Sequence, residues 1–147
     1  MDIGDPPNVA GWSAYYQSPQ FYEMWINSDT LPKRVQFSDK LTTTGNRLNS
    51  FTLIVDPLAF AALVSNAADA DVIVAEFAQL LFPSALTANQ HQFLLDILLS
   101  GLPAYEWTVE WLDYVAHPTD TAKRDAVKTK LQALLTFMTE MAEYQLM

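Results

Sequence analysis

From Asp56 onward the chain is punctuated as a series of helices, and no other feature restricts its folding so tightly. Thr87-Ala88-Asn89-Gln90 has the spacing of a capping box, in which a Thr hydroxyl and a Gln amide satisfy each other's orphan backbone donors. Gly101 suits the position just past a helix end, and Phe93, Leu94, Ile97 and Leu98 lie between the two signals. Asp56-Pro57 is a cap followed by a first-turn proline, predicting a helix to about Asn66. Ala67 to Asp71 breaks it. Asp69 or Asp71 then starts a helix ending at Phe82-Pro83, whose Val72, Ile73, Ala75, Phe77, Leu80 and Leu81 cover much of its circumference, as a central helix would. Pro103 opens a helix through Ala116, stopped by Pro118, and Thr119 or Asp120 caps a last one reaching close to the C-terminus. In that helix Val127, Leu131, Leu134, Leu135, Met138 and Met141 form a core stripe, with Lys123, Arg124, Lys128 and Lys130 in its first half.

Upstream the signals are shorter. Asp5-Pro6-Pro7-Asn8-Val9-Ala10-Gly11-Trp12 combines two prolines, a turn-permitting glycine and a large apolar anchor, so it reads as a non-helical strap. Ser18-Pro19 caps a helix through Trp25 or Ile26. Ser28 or Asp29 caps a second, with Pro32 in its first turn and Leu31, Val35, Phe37 and Leu41 as its buried side. Thr42 to Ser50 reads as a loop, and Phe51 to Val55 as a short extended segment. The expected fold is an all-α, single-domain bundle of six or seven helices: strap over 1–18, short helices over 19–43, loop over 44–55 and helical bundle over 56–147.

At 147 residues one core suffices, since a chain of this size buries roughly 70% of its unfolded surface. Half the residues are hydrophobic and 17% are charged, which sets the chain apart from disordered sequences. It has no cysteine, so neither disulfides nor thiolate metal sites are available. The acidic start, Met1-Asp2-Ile3-Gly4-Asp5, lacks the form of a secretory signal, and the longest apolar runs, such as Pro57 to Val64, fall short of the ~20 residues that span a bilayer. The net charge of −9 is uneven: no Lys or Arg occurs between Arg47 and Lys123, where nine acids do. A central body without cations argues against nucleic acid and anionic membranes as partners. It reads first as a solvated acidic face, and second as a docking surface for a basic partner or divalent cations.

Glu106, Glu110, Asp113 and His117 stand at i, i+4, i+7 and i+11 and share one helical face. They could be metal ligands, or an exposed acidic face with His117 at the helix C-terminus, where the dipole favours its cation. Without a Glu-x-x-His pair or ligands from several helices, no metal site is assigned. Trp107, Trp111 and Tyr114 stack on the neighbouring face, where packing is the default. Trp12, Tyr15, Tyr16, Phe21, Tyr22 and Trp25 put six aromatics into fourteen positions, more than a strap needs. Trp12, Tyr15, Tyr16, Tyr22 and Trp25 are therefore candidate binding residues for a protein or a glycan, which use flat apolar area with polar tips. Asn8 and Asn27 suit backbone capping. Catalysis finds little support: there is no Gly-x-Ser-x-Gly elbow and no phosphate loop, only two histidines are present, and His91 falls in a helix's first turn. Nothing selects a catalytic pair from seventeen carboxylates. No catalytic residue, cofactor or metal ligand is assigned.

The Asp5 to Trp12 string, Phe21-Tyr22-Glu23-Met24-Trp25-Ile26-Asn27, Leu31-Pro32-Lys33-Arg34-x-x-Phe37 and the closing Ala142-Glu143-Tyr144-Gln145-Leu146 together resemble the C-terminal part of the bacterial domain-of-unknown-function family eighteen-hundred. That family has no established activity to lend. The resemblance implies a tail portion of a longer, largely helical bacterial protein, often exported. After Gly11-Trp12 this chain carries Ser13-Ala14-Tyr15-Tyr16 and an aromatic insertion where the commoner family form has Pro-Gly-Gly-Arg, so no ligand role of that arginine transfers. The expectation is a non-catalytic helical recognition or structural module of an envelope or secreted protein. The alternative is a hydrolase fragment whose catalytic half lies upstream, with the acidic helix face contributing carboxylates or holding a divalent cation.

Overall fold

The computed structural model describes residues 28–145. The strap, the helix expected from Ser18-Pro19, the capping roles given to Asn8 and Asn27, and the candidates Trp12, Tyr15, Tyr16, Tyr22 and Trp25 lie outside the described residues. The chain divides into two compact units, Met1–Arg34 and Val35–Met147. Of the first, residues 28–34 are described: a turn and the opening of helix α1 (Thr30–Thr42), where Lys33 donates to Asp29 at 2.7 Å on an exposed surface.

The second unit contains the remainder of α1, a hairpin of β1 (Asn46–Leu48) and β2 (Phe51–Leu53), and helices α2 (Pro57–Ala61), α3 (Ala70–Leu81), α4 (Ala88–Leu99), α5 (Ala104–Ala116), α6 (Thr121–Glu140) and α7 (Ala142–Gln145). With seven helices and one two-stranded hairpin among the described residues, the architecture is the expected all-α bundle. Its helix starts follow from side chains that accept orphan N–H groups. Asp56 accepts from Leu58 at 3.1 Å, Asp69 from Asp71 at 3.0 Å and Asp120 from Ala122 at 3.0 Å. The Thr87–Gln90 box is present: Thr87 N donates to Gln90 Oε1 at 2.9 Å and Gln90 N to Thr87 Oγ1 at 3.3 Å. At the other end of α4 the chain turns through left-handed Ser100 and Gly101.

The core joins α2 through α6. Ile73, Val74 and Phe77 of α3, Leu94 and Leu98 of α4, Trp107 of α5 and Val127, Leu131, Leu134 and Met138 of α6 are withdrawn from solvent. The central helix is α6, which packs against α2, α3, α4, α5 and α7. Its 20 residues give it a length of about 30 Å, enough to touch them all. The wide apolar surface of α3 does not make it central: Leu80 is exposed, and its buried residues keep to one side.

Three other sequence expectations differ from the structure. Helix α2 stops at Ala61 rather than near Asn66. Beyond it, side chains take the backbone groups that a longer helix would have used. Ser65 gives its N–H at 2.9 Å, and its hydroxyl, to the Glu76 carboxylate, and Ala68 N donates to Asn66 Oδ1 at 3.3 Å. The buried residues of α1 are Ser38 and Thr42, while Phe37 is exposed and Val35 and Leu41 are only half-buried. They meet a polar seam at the end of α6 and in α7: the Thr42 and Thr136 hydroxyls are 2.8 Å apart, and Gln145 Nε2 donates to Ser38 Oγ at 3.2 Å and to the Thr139 carbonyl at 2.6 Å. Lastly, the stretch expected as a loop followed by an extended segment is an antiparallel hairpin with Leu48 opposite Phe51. Gly45 enters it at φ +79°, where a Cβ would stand 2.4 Å from Thr52 Cγ2, and Val55 N closes it onto the Leu41 carbonyl at 2.8 Å. No helix among the described residues is long and apolar enough to cross a membrane.

Candidate functional site

Helix α5 carries more apolar residues than one buried face can use, and the structure fixes which of them face inward. Trp107 is 1% exposed, its ring stacks on Trp111 at 5.9 Å between centroids, and Trp111 meets Tyr114 edge-on at 5.5 Å. This is the packing expected of the three aromatics. Two hydrogen bonds then set the rotation of the helix about its axis. Trp107 Nε1 donates to the Ala67 carbonyl at 3.0 Å, and Thr108 Oγ1 donates to the Ala68 carbonyl at 2.8 Å. Both carbonyls belong to the turn before α3, so α5 is pinned along one flank.

The acidic edge pins the other flank. Glu110 accepts from Lys130 at 2.5 Å and Asp113 from Lys123 at 2.7 Å, both lysines coming from α6. His117, the C-terminal cap of α5, brings Nδ1 within 3.1 Å of the same Asp113 oxygen. The Lys123 ammonium, with lesser help from His117, holds the Asp113 carboxyl below its ordinary range despite some desolvation. Glu110 and Asp113 therefore act as struts between α5 and α6, and the lysines explain their placement. Among the described residues no group of three or more His, Asp or Glu is placed to hold a metal ion. His91 does lie in the first turns of α4, half-buried, with Nδ1 4.0 Å from an Asp71 oxygen.

Between the two pinned flanks α5 turns a row of large apolar side chains outward. Tyr105 is 63% exposed, Val109 58%, Leu112 54% and Val115 55%. At about 100° per residue, Tyr105, Val109 and Leu112 fall within one narrow arc, with Val115 beside it. The Tyr105 phenol bonds to the neighbouring Glu106 carboxylate, which pushes its pKa up. Sequence reasoning missed this ridge because the acids and the tryptophans of the same helix also repeat at helical spacing. The signal was present: Tyr105, Val109 and Leu112 repeat at i, i+4 and i+7, opposite the buried aromatics.

The site is thus an outward apolar ridge held on a helix of an all-α bundle. Comparison by family model matches residues 1–146 to "Protein of unknown function (DUF1800)", so the chain belongs to that family along nearly its whole length. No curated protein and no solved structure matches it.

Proposed function

We propose that the chain is a non-catalytic recognition module that docks a partner protein on the outward face of α5. The observation that carries this reading is the ridge of Tyr105, Val109, Leu112 and Val115, each more than half exposed on a helix pinned on both flanks. A helix free to roll would turn these side chains inward, whereas α5 is tied down with them outward. Exposed apolar rows of this kind mark interaction surfaces.

The occupant is an amphipathic helix with a leucine-type seam and basic flanks. Three aliphatic side chains in line suit an apolar helix face better than a sugar, which calls for flat rings and many hydrogen-bonding groups. Charge selects the flanks: between Arg47 and Lys123 there are nine acids and no Lys or Arg, and Glu106 at the head of the ridge has no cationic partner among the described residues. The aromatic candidates Trp12, Tyr15, Tyr16, Tyr22 and Trp25 are kept as a second contact surface, for protein or glycan, and the setting implied by the family resemblance is a bacterial envelope or secreted protein. The position of Asp113 also favours a non-catalytic reading, because a carboxylate held ionised by a lysine strut is a poor proton donor.

The test uses two synthetic helical peptides with the same leucine seam, one flanked by lysines and one by glutamates. Titrated into labelled protein, the lysine-flanked peptide should shift α5 amide signals saturably, and Val109→Glu with Leu112→Glu should weaken it by at least about tenfold. Unchanged thermal unfolding of that double variant would show that the ridge, and not the fold, was altered. Equal binding of both peptides, or no saturable shift from either, would refute the proposal.

A further inference from the structure

The α3–α4 corner holds a cleft of about 410 Å³, within the range of sites that take small molecules. Its apolar walls are Ala75, Ala78 and Phe82 of α3 and its C-terminal cap, with Leu86 from the connecting loop. Two alanines in place of larger side chains leave the space open. Its polar groups are few, among them Gln79 and the His91 imidazole.

The electrostatics of the corner are one-sided. His91 stands 4.0 Å from Asp71, which lies one turn before Ala75 and so on the same side of α3 as the cleft. Helices α3, α4 and α5 contain no Lys or Arg, and α6 and α7 contain none after Lys130. Cation-free stretches meet beside His91: Gln90 reaches the Glu143 carboxylate, and Phe93 packs edge-on against Phe137 at 5.7 Å. A neutral imidazole always offers one nitrogen lone pair to a donor. These stretches supply no Lys or Arg side chain to balance an anion.

We propose that the cleft binds a small organic amine: an apolar body against Ala75, Ala78, Phe82 and Leu86, and an ammonium head drawn to His91 and the field of Asp71. This is a site separate from the α5 ridge, and it stands whether or not the ridge binds a partner. Benzylamine and benzoate serve as probes, since they share a ring and differ in the sign of the head group. At about pH 7.5, benzylamine should move the His91 ring signals and the Ala75 and Ala78 amides saturably, and should bind at least about tenfold more tightly than benzoate. Ala75→Leu, which fills the cleft, should abolish those shifts. Asp71→Asn, at an exposed first-turn position, should bring the two affinities together while leaving the fold intact, and it decides the question even if Ala75→Leu fails to fold. The proposal is overturned by the absence of a saturable shift with benzylamine at millimolar concentration, by equal affinity for benzoate in the unaltered chain, or by a preference that survives Asp71→Asn.

Discussion

Asp113 and Glu140 are both carboxyls, and their surroundings push them in opposite directions. Lys123 holds Asp113 below its ordinary value of 3.8, so the strut contributes stability that is fully present above that value and lost as pH falls through the lower folded-state value. Packing around the Glu140 carboxyl, and then Asp39 facing it, raise that group above 4.5. Its folded form holds a proton that the unfolded chain has released, so its contribution declines as pH rises from 4.5 through the raised value. Asp39 Oδ1 is itself buried without a hydrogen-bond partner. Measured by denaturant unfolding at a series of pH values, Lys123→Met should flatten the loss of stability below about pH 4, and Asp39→Asn should flatten the decline above it. The sequence placed Asp113 on its acidic face correctly but gave no means of pairing it with Lys123, ten residues away across a helix turn, because pairing depends on how α5 and α6 are set against each other.

At the scale of elements, legibility followed local chemistry. Helices α3, α4, α5 and α6 were predicted close to their observed ends because each begins at a capping side chain or a proline, and such signals act within one turn. The hairpin was half legible. Phe51 to Leu53 is extended as expected, but its partner strand Asn46–Leu48 is a short polar stretch whose pairing is set by the turn at Asn49 and the tight entry at Gly45. The two left-handed glycines separate backbone strain from crowding. A methyl group on Gly101 meets nothing within 4 Å, whereas on Gly45 it meets Thr52 Cγ2 at 2.4 Å and the Leu53 carbonyl at 3.1 Å. Gly101→Ala should cost about 1 kcal/mol of left-handed strain. Gly45→Ala should cost visibly more, about 2 kcal/mol or above, because a strand carbonyl must also move. Thermal unfolding of the two variants checks the order.

Across the whole molecule, the last long helix organises the rest. Leu131 is completely buried at the middle of α6, so Leu131→Ala removes contacts with several elements at once and should cost ~2–5 kcal/mol in urea unfolding. Leu112→Ala, on the ridge, should stay within ~0.5 kcal/mol, which would show that the outward row contributes little to folding. The sequence identified Val127, Leu131, Leu134, Leu135 and Met138 of the α6 stripe, whereas Met141 lies beyond the helix end and the buried Thr139 was not among the expected residues. It could not rank α6 above α3, because both helices are richly apolar and only their packing distinguishes a spine from a wall.

The join between α1 and the end of α6 has a character unlike the rest of the unit. Ser38, Thr42, Thr136, Thr139 and Gln145 hold it with directional bonds that water can replace one for one. Prising such a joint apart wets little oily surface, so this corner can breathe while the leucine spine behind it stays dry.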